Sequence, residues 1–193
     1  LTVRAVNGGQ NNIGRQLTLA SGALLTVQED GSYEYDPNDQ FEQLGQGDTE
    51  PDTFTYTVSD GNGGNVTAEV EITVEGVNDP PEIIFEPEPE EAEITVDENV
   101  TFVTTVIAED AEEDAITFAL AGADEQRFTI NPETGELSFN EAPDFENPQD
   151  ADEDNVYEVE VTANDGTDPT TRNLQIAVQD VQELPPGATF DRI

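Results

Sequence analysis

Carboxylates are the groups in this chain with the clearest capacity for chemistry. The 193 residues include 45 Asp and Glu against 5 basic residues, all of them Arg, and there is no His and no Cys. The absence of His and Cys removes the usual ligands of zinc, haem and iron–sulfur clusters, whereas carboxylate and amide oxygens are the ligands that Ca²⁺ prefers. The composition therefore leaves hard, oxygen-ligated metal ions, among them Ca²⁺, as candidate ligands of this chain.

The net charge of −40 also bears on the choice of partner. Nucleic acids and anionic membrane surfaces repel a polyanion, so neither is expected to bind this chain. No run of residues approaches the roughly 18 apolar positions of a membrane span, and we expect no membrane insertion. Any secretion signal would have to lie outside this sequence, because no basic segment followed by a short apolar core occurs at its start.

The same composition argues against most enzyme classes. There is no His, Cys or Lys to act as a general base, a nucleophile or a Schiff-base former. A two-carboxylate glycosidase is still open on composition alone, although among so many carboxylates some pair will lie at a catalytic separation by chance. We expect that the protein is not an enzyme.

The carboxylates must be positioned by strands, because period-two alternation of apolar residues dominates the chain. No segment shows a helical stripe, and Gly, Pro, Asn and Asp turns separate the apolar runs, which favours antiparallel sandwiches. The turns at residues 29–32 and 131–135 predict hairpins. We expect the strand aromatics to lie in the core rather than on a sugar-binding face: Phe54, Tyr56, Phe118, Phe128, Phe139 and Tyr157.

An internal repeat indicates two modules. The strand pattern that ends at Asp60 recurs at Asp165, 105 residues later, and a Pro-bounded acidic link follows each copy. A period near 100 residues is the size of one sandwich. We predict a first module at residues 1–76, a linker at 77–81, a second module at 82–183 and a C-terminal linker at 184–193. Residues 1–3 align with residues 116–118, so the first module is expected to lack its opening strands.

Five acidic motifs follow one another in the second module, at residues 97–99, 110–112, 144–146, 163–166 and 180–183. In type and order they make this module resemble a bacterial cadherin-like domain. The first module is similar to the related Ig-like repeats of large bacterial surface adhesins, through residues 19–25, 30–33 and 54–64. The resemblance implies an all-β fold of two tandem antiparallel Ig-like or cadherin-like β-sandwiches.

The resemblance also implies a set of calcium ligands. The linker would supply Asn78 and Asp79, and the N-terminal end of the second module would supply Asp110, Glu112 and Asp165. Five further ligands would lie at the opposite end of that module: Glu98, Asp144, Glu146, Asp180 and Glu183. Turn capping by solvated carboxylates is the alternative at each position.

A further acidic run has the odd spacing of an EF-hand loop, at Asp150, Asp152 and Asp154. Asn155 stands where that loop requires Gly and Val161 where it requires Glu, so an EF-hand is rejected. We keep Asp150 and Asp152 as candidate calcium ligands, with a solvated acidic loop as the alternative.

The expected function is that of a calcium-rigidified extender module in a secreted bacterial surface adhesin that mediates cell adhesion or biofilm formation. Its partners would be calcium ions and neighbouring repeats, and its place would be extracellular, at the cell surface or secreted. The alternative is a module that binds carbohydrate or a second copy of itself. Exposed loop aromatics would favour that alternative, and the candidates are Phe41, Phe85, Phe145 and Phe190.

Overall fold

The structure is a computed structural model that describes residues 1–84 and 93–182. The chain divides into two compact units, Leu1–Asp79 and Pro80–Ile193. Strands build both units, and the described residues contain no α-helix, only single 3₁₀ turns at Gln10–Asn12 and Glu125–Arg127. None of the described helical segments is long and apolar enough to cross a membrane. The prediction of an all-β fold with sandwich units is confirmed.

The first unit consists of two three-stranded antiparallel sheets. Its strands are β1 (Thr2–Val6), β2 (Gln16–Thr18), β3 (Leu24–Val27), β4 (Tyr33–Asp36), β5 (Thr49–Ser59) and β6 (Asn65–Glu75). One sheet has the order β1-β5-β6 and the other β2-β3-β4. The predicted hairpin at residues 29–32 joins β3 to β4, and its Asp30 carboxylate accepts hydrogen bonds from the backbone and hydroxyl of Ser32.

A buried carboxylate links the two sheets of the first unit. Asp52 on β5 is 7% exposed and accepts hydrogen bonds from the Ser21 hydroxyl at 2.6 Å and the Tyr35 hydroxyl at 2.9 Å. Burial, followed by the Asp52 hydrogen bond and charge, raises the pKa of Tyr35 above its ordinary value. The two hydroxyls thereby satisfy a charge that would otherwise be costly to bury.

The described part of the second unit, residues 80–84 and 93–182, contains nine strands. They are β7 (Glu82–Ile84), β8 (Glu93–Asp97), β9 (Phe102–Thr105), β10 (Ile107–Glu109), β11 (Thr117–Ala121), β12 (Phe128–Ile130), β13 (Glu136–Phe139), β14 (Val156–Asn164) and β15 (Pro169–Gln179). They form sheets ordered β11-β14-β15-β8 and β12-β13-β9, with a separate pair β10-β7. The predicted hairpin at residues 131–135 joins β12 to β13.

One pairing in the second unit differs from the antiparallel pattern expected throughout. The edge strand β8 runs parallel to β15, with Gln175 opposite Glu93 and Gln179 opposite Asp97. The two strands are about 80 residues apart in the chain, so no turn sequence links them, and strand direction cannot be read from a single strand's alternation.

The core of the second unit is dense and aromatic. Leu137 and Ile176 are fully buried, and the rings of Phe128, Phe139 and Tyr157 lie 4.3 to 5.7 Å apart between centroids. Phe54 of the first unit and Phe118 of the second are also buried, and Tyr56 packs against the first core. The prediction that these aromatics belong to the core is confirmed.

Strand register shows how closely the two units correspond. Thr2 of β1 lies opposite Ser59, one residue before Asp60, and Thr117 of β11 lies opposite Asn164, one residue before Asp165. The hairpins β5–β6 and β14–β15 therefore match residue by residue, so that Ile72 is the counterpart of Ile176. Ile176 is fully buried, whereas Ile72 is only partly buried.

This difference predicts unequal costs for the same truncation. Ile176→Ala leaves a cavity in a closed core and should destabilise the second unit by about 3 kcal/mol. Ile72→Ala removes a side chain that already contacts solvent and should destabilise the first unit by about 1 kcal/mol. Hydrogen exchange of the full chain in increasing urea reports each unit separately. Equal losses at the two positions would show that the β6 face is as closed as the β15 face.

Candidate metal centre

Three carboxylates from separate segments converge at the end of the second unit where β8 and β15 finish. Glu98 directly follows β8, Glu146 lies in the connection between β13 and β14, and Asp180 directly follows β15. One carboxylate oxygen of each lies within 4.8 Å of the others. We call these three residues the C-terminal acidic cluster.

The parallel pairing of β8 and β15 explains why two of the three meet. The last paired residues of the two strands, Asp97 and Gln179, lie side by side, and the Gln179 amide donates a hydrogen bond to the Asp97 carboxylate. Because parallel strands leave a sheet in the same direction, the next residues of each, Glu98 and Asp180, emerge together.

Glu98 links the connection that carries Glu146 to the ends of β8 and β15. Its side chain is 3% exposed, and one carboxylate oxygen accepts a hydrogen bond from Val181 N at 2.9 Å while the other accepts one from Phe145 N at 3.0 Å. The N–H groups of Val181 and then Phe145 hold the pKa of Glu98 below its ordinary value. Glu98 is therefore an ionised carboxylate that organises the loop carrying Glu146.

The pKa of Glu146 is shifted in the opposite direction from that of Glu98. A hydrogen bond from a backbone N–H lowers its pKa, but desolvation and the carboxylates of Glu98, Asp180 and Asp144 raise it, and the net shift is upward. Asp144, which is exposed, accepts a hydrogen bond from Glu146 N at 3.1 Å. The charges of Glu98, Asp180 and Asp144, which raise the Glu146 pKa, are all negative, so among the described residues the cluster carries mutual repulsion that a cation would relieve.

The donor set suits Ca²⁺. This ion takes about 6 to 8 oxygen ligands at about 2.3 to 2.6 Å, so two ligands on opposite sides of it are separated by close to twice that distance. The 4.8 Å spread of the cluster oxygens lies within that separation. The cluster could hold one calcium ion, with water or backbone oxygens completing the shell.

A second group, the acidic loop cluster, consists of Asp150, Asp152 and Asp154, whose carboxylate oxygens also lie within 4.8 Å of one another. Asp150 is 5% exposed, and its two oxygens accept hydrogen bonds from Asp154 N at 2.8 Å and Asn155 N at 3.2 Å. Desolvation acts to raise the pKa of Asp150, but these N–H groups and Asp152 lower it overall. The charge of Asp154, followed by desolvation and Asp150, raises the pKa of Asp152.

Two residues that the sequence analysis did not propose as site residues hold this loop in place. Asp124, 5% exposed, accepts hydrogen bonds from Ala151 N at 2.8 Å and Glu158 N at 2.7 Å. Asn155 donates from Nδ2 to the carbonyl of Phe145 at 3.0 Å, which connects the acidic loop cluster to the C-terminal acidic cluster. No local sequence motif marks Asp124, because its partners lie 27 and 34 residues further along the chain.

The ligands predicted for the N-terminal end of the second unit are placed in turns. Asp110 follows β10 and accepts hydrogen bonds from Glu112 N and Asp114 N, and Asp165 opens the β14–β15 turn and accepts from Thr167 N. The second oxygen of Asp110 is buried and has no hydrogen-bond partner. The close carboxylate groups found among the described residues do not include Asp110, Glu112 or Asp165, and their role as ligands stays a prediction.

The remaining three predicted ligands lie in the two Pro-bounded acidic links: Asn78, Asp79 and Glu183. Asn78 and Asp79 end the first unit, where Asn78 donates from Nδ2 to the Asp79 carbonyl at 3.3 Å, and their role as calcium ligands also stays a prediction. Glu183 lies outside the described residues.

The loop aromatics do not offer an exposed binding platform within the described residues. Phe41 is buried at 8% exposure, and Phe145 packs partly buried against the core of the second unit. Phe85 and Phe190 lie outside the described residues.

Comparisons with known proteins match both units to cadherin-type families. Residues 1–76 match the bacterial cadherin-like domain and residues 91–179 match the cadherin domain. The sequence had placed the bacterial cadherin-like pattern in the second module, and the family matches place it in the first. The expected resemblance to cadherin-like domains is confirmed.

This chain spans only part of the length of each protein that it resembles. Protocadherin Fat 4 of Mus musculus is 30% identical over 125 residues, which is 62% of this chain and 2% of that protein. A structure of extracellular cadherin domains 1–4 of protocadherin gamma B7 has a TM-score of 0.51 and 21% identity, and covers 82% of this chain and 39% of that one. Drosophila N-cadherin EC1-3 has a TM-score of 0.48 and 23% identity, with 88% and 54% covered. The likeness to protocadherin gamma B7 shows the fold.

The unbalanced charge at Glu146 predicts an unusual response to a neutralising substitution. In the absence of divalent cations at pH 7, Glu146→Gln should raise the melting temperature, because it removes repulsion from Glu98 and Asp180. The folded state of the wild type binds the Glu146 proton more readily than the unfolded chain does. Lowering the pH from above the folded pKa towards the ordinary value of 4.5 should therefore stabilise the wild type relative to Glu146→Gln.

Glu141→Gln is the matched control for this experiment. It makes the same change of charge at an exposed position in the same connection, outside the acidic cluster. In thermal melts in chelator at several pH values, the melting temperature of Glu141→Gln should change with pH in the same way as that of the wild type. A control that gains as much stability as Glu146→Gln would show that only net charge matters.

Proposed function

Since this chain carries a bacterial cadherin-like domain followed by a cadherin domain, we propose that it is a calcium-stiffened extender segment of a secreted bacterial surface adhesin. Domains of this type are extracellular adhesion modules, and cadherin domains in general bind Ca²⁺. In this role the segment catalyses no reaction. It separates a distant binding head from the cell during cell adhesion or biofilm formation.

The observation that carries the calcium proposal is the convergence of Glu98, Glu146 and Asp180 from three segments. Their oxygens lie at separations that one Ca²⁺ can span, and the carboxylates of Glu98, Asp180 and Asp144 repel an ionised Glu146. A bound divalent cation would cancel this repulsion and tie together the ends of β8 and β15 and the β13–β14 connection. The further ligands proposed for this end are Asp144 and Glu183. The negative charge of Asp144 also raises the pKa of Glu146.

The other proposed ligands rest on sequence pattern and on their place in turns. They are Asn78, Asp79, Asp110, Glu112 and Asp165, together with Asp150 and Asp152 of the acidic loop cluster. The buried, unpartnered oxygen of Asp110 supports its inclusion, because such an oxygen is costly to bury unless a donor or a cation satisfies it.

An extender role is favoured over carbohydrate binding. Sugar-binding surfaces use exposed aromatic rings, whereas Phe41 and Phe145, the loop aromatics that the structure describes, are buried or packed against a core. Neighbouring repeats are therefore the proposed protein partners. In a chain with a net charge of −40, bound cations also reduce the self-repulsion that opposes a compact fold.

Calcium should stabilise the second unit through this cluster. Extracellular modules bind Ca²⁺ with dissociation constants of about 10⁻⁴ to 10⁻³ M, and a tenfold excess over such a constant adds about 1.4 kcal/mol per site. Asp180→Asn should lose at least half of the gain that the cluster provides, while Glu141→Gln should keep all of it. Thermal melts in calcium and in chelator measure these gains. Wild-type melts that are identical in both conditions would contradict the proposal.

Two comparisons sharpen this test. Magnesium should stabilise the chain less than calcium at equal concentration, because it requires a tighter octahedral shell. Glu98→Gln should destabilise the second unit even in chelator, since its amide nitrogen cannot accept the hydrogen bond from Phe145 N or Val181 N. If Glu98→Gln lost only the calcium-dependent stabilisation and melted like the wild type in chelator, the structural role assigned to Glu98 would be wrong.

An extender should also stay monomeric. Sedimentation of the full chain in millimolar calcium and in chelator should give one species of about the 20.9 kDa chain mass in both conditions. Calcium-dependent dimers would instead favour recognition between copies.

A further inference from the structure

The dipeptide Asn-Gly occurs twice in this chain, at residues 7–8 and 62–63, and both copies lie in the first unit. Asn followed by Gly is open to an intramolecular reaction, because a residue without a side chain leaves its backbone nitrogen accessible to the Asn carboxamide. The reaction needs contact between that nitrogen and the side-chain carbon Cγ. Whether each copy reacts therefore depends on what holds its Asn side chain and its Gly nitrogen.

The turn between β5 and β6 leaves the Gly63 nitrogen available. Asp60 Oδ1 accepts hydrogen bonds from Asn62 N at 2.8 Å and from Gly64 N at 2.9 Å, the two N–H groups that flank Gly63. Within the part of the chain that the structure describes, Gly63 N itself donates to no acceptor. A Cβ placed on Gly63 would meet no atom within 4 Å, so the space around it is open.

The Asn62 side chain is held only weakly. Among the described residues its one hydrogen bond runs from Nδ2 to the Asp60 carbonyl at 3.5 Å, the long limit for such a bond. This contact lies inside the turn, and the side chain is exposed. Rotation of the carboxamide towards Gly63 N therefore breaks no contact with the rest of the first unit.

Asn7 is attached to a neighbouring strand. Its Oδ1 accepts hydrogen bonds from Thr55 N at 2.8 Å and Thr55 Oγ1 at 3.4 Å, and its own N–H donates to the Thr55 carbonyl at 2.8 Å. Asn7 is exposed like Asn62, and Gly8 N likewise donates to no acceptor in the described ranges. The two copies thus differ in the restraint on the Asn side chain. Turning the Asn7 carboxamide towards Gly8 N would leave Thr55 N without its acceptor, which costs free energy.

We propose that Asn62 is a site of spontaneous deamidation through a cyclic imide and that the fold protects Asn7 from the same reaction. Gly63 N attacks Asn62 Cγ, the new N–Cγ bond closes the ring, and the Cγ–Nδ2 bond breaks. Nδ2 leaves as ammonia with the proton that Gly63 N gives up. Water then opens the ring, and it is the only co-reactant. Opening at Cγ gives aspartate, and opening at the backbone carbonyl carbon gives isoaspartate, in which the chain continues through Cγ.

The product carries a new carboxylate two residues after Asp60. Short turns rich in small residues tolerate covalent change better than strands do, and this turn has glycine at positions 61, 63 and 64. The modification should therefore add one negative charge to the turn and leave the first unit folded.

The test follows the full 193-residue chain during incubation at mildly alkaline pH, where loss of the Gly63 N proton is favoured. Peptide mapping by mass spectrometry, with fragmentation that distinguishes aspartate from isoaspartate, measures conversion at each position. Asn62 should convert at least about tenfold faster than Asn7, a factor that corresponds to about one hydrogen bond. Both aspartate and isoaspartate should appear at position 62.

The same chain in urea is the matched control, because it keeps both Asn-Gly pairs and removes the fold. The two rates should become similar there. Asn62→Gln can close only a larger and less favourable ring, so the acidic form resolved by ion-exchange chromatography should be absent from that variant over the same period.

Three results would overturn the proposal. Equal rates at the two positions in the folded chain would show that Thr55 does not protect Asn7. Conversion of Asn62 that is tenfold slower in the folded chain than in urea would show that the turn holds its side chain away from Gly63 N. Aspartate without isoaspartate would indicate direct hydrolysis rather than an imide. Calcium binding by the second unit uses different residues and is not affected by any of these outcomes.

Discussion

The parallel register of β8 on β15 is the constraint on which the second unit depends. It closes one edge of the four-stranded sheet, covers the apolar face of β15 and brings the residues after each strand to one point. Displacing the register by one residue would turn Ile94 and Val96 outward and separate Glu98 from Asp180. The same pairing therefore supports both the core and the candidate metal centre.

Backbone N–H groups solve much of the electrostatic problem posed by so acidic a chain. Glu98, Asp124 and Asp150 are nearly buried carboxylates, and each accepts hydrogen bonds from two backbone amides. These amides hold loops without any basic side chain. Glu146 and Asp152 lie beside them with raised pKa values, which shows that neighbouring carboxylates repel each other in both acidic clusters.

Local features were predictable from sequence and non-local ones were not. Alternation and turn residues identified the hairpins β3–β4 and β12–β13, and residue spacing identified the equivalence of Asp60 and Asp165. The grouping of Glu98 with Glu146 and Asp180 followed from family resemblance, since nothing within each motif specifies the other two. The direction of β8 and the role of Asp124 depend on contacts across many residues, which no single stretch of sequence encodes.

The backbone of Phe145 carries a further consequence. Its N–H donates a hydrogen bond to Glu98, and its carbonyl accepts one from the Asn155 side chain. The backbone N–H of Asn155 donates in turn to Asp150. One peptide segment therefore connects the two acidic clusters. A shift of either carboxylate would then be transmitted through the Phe145 peptide to the other cluster. If the two clusters bind cations as proposed, this shared segment would couple the two binding events, and the coupling would be reciprocal.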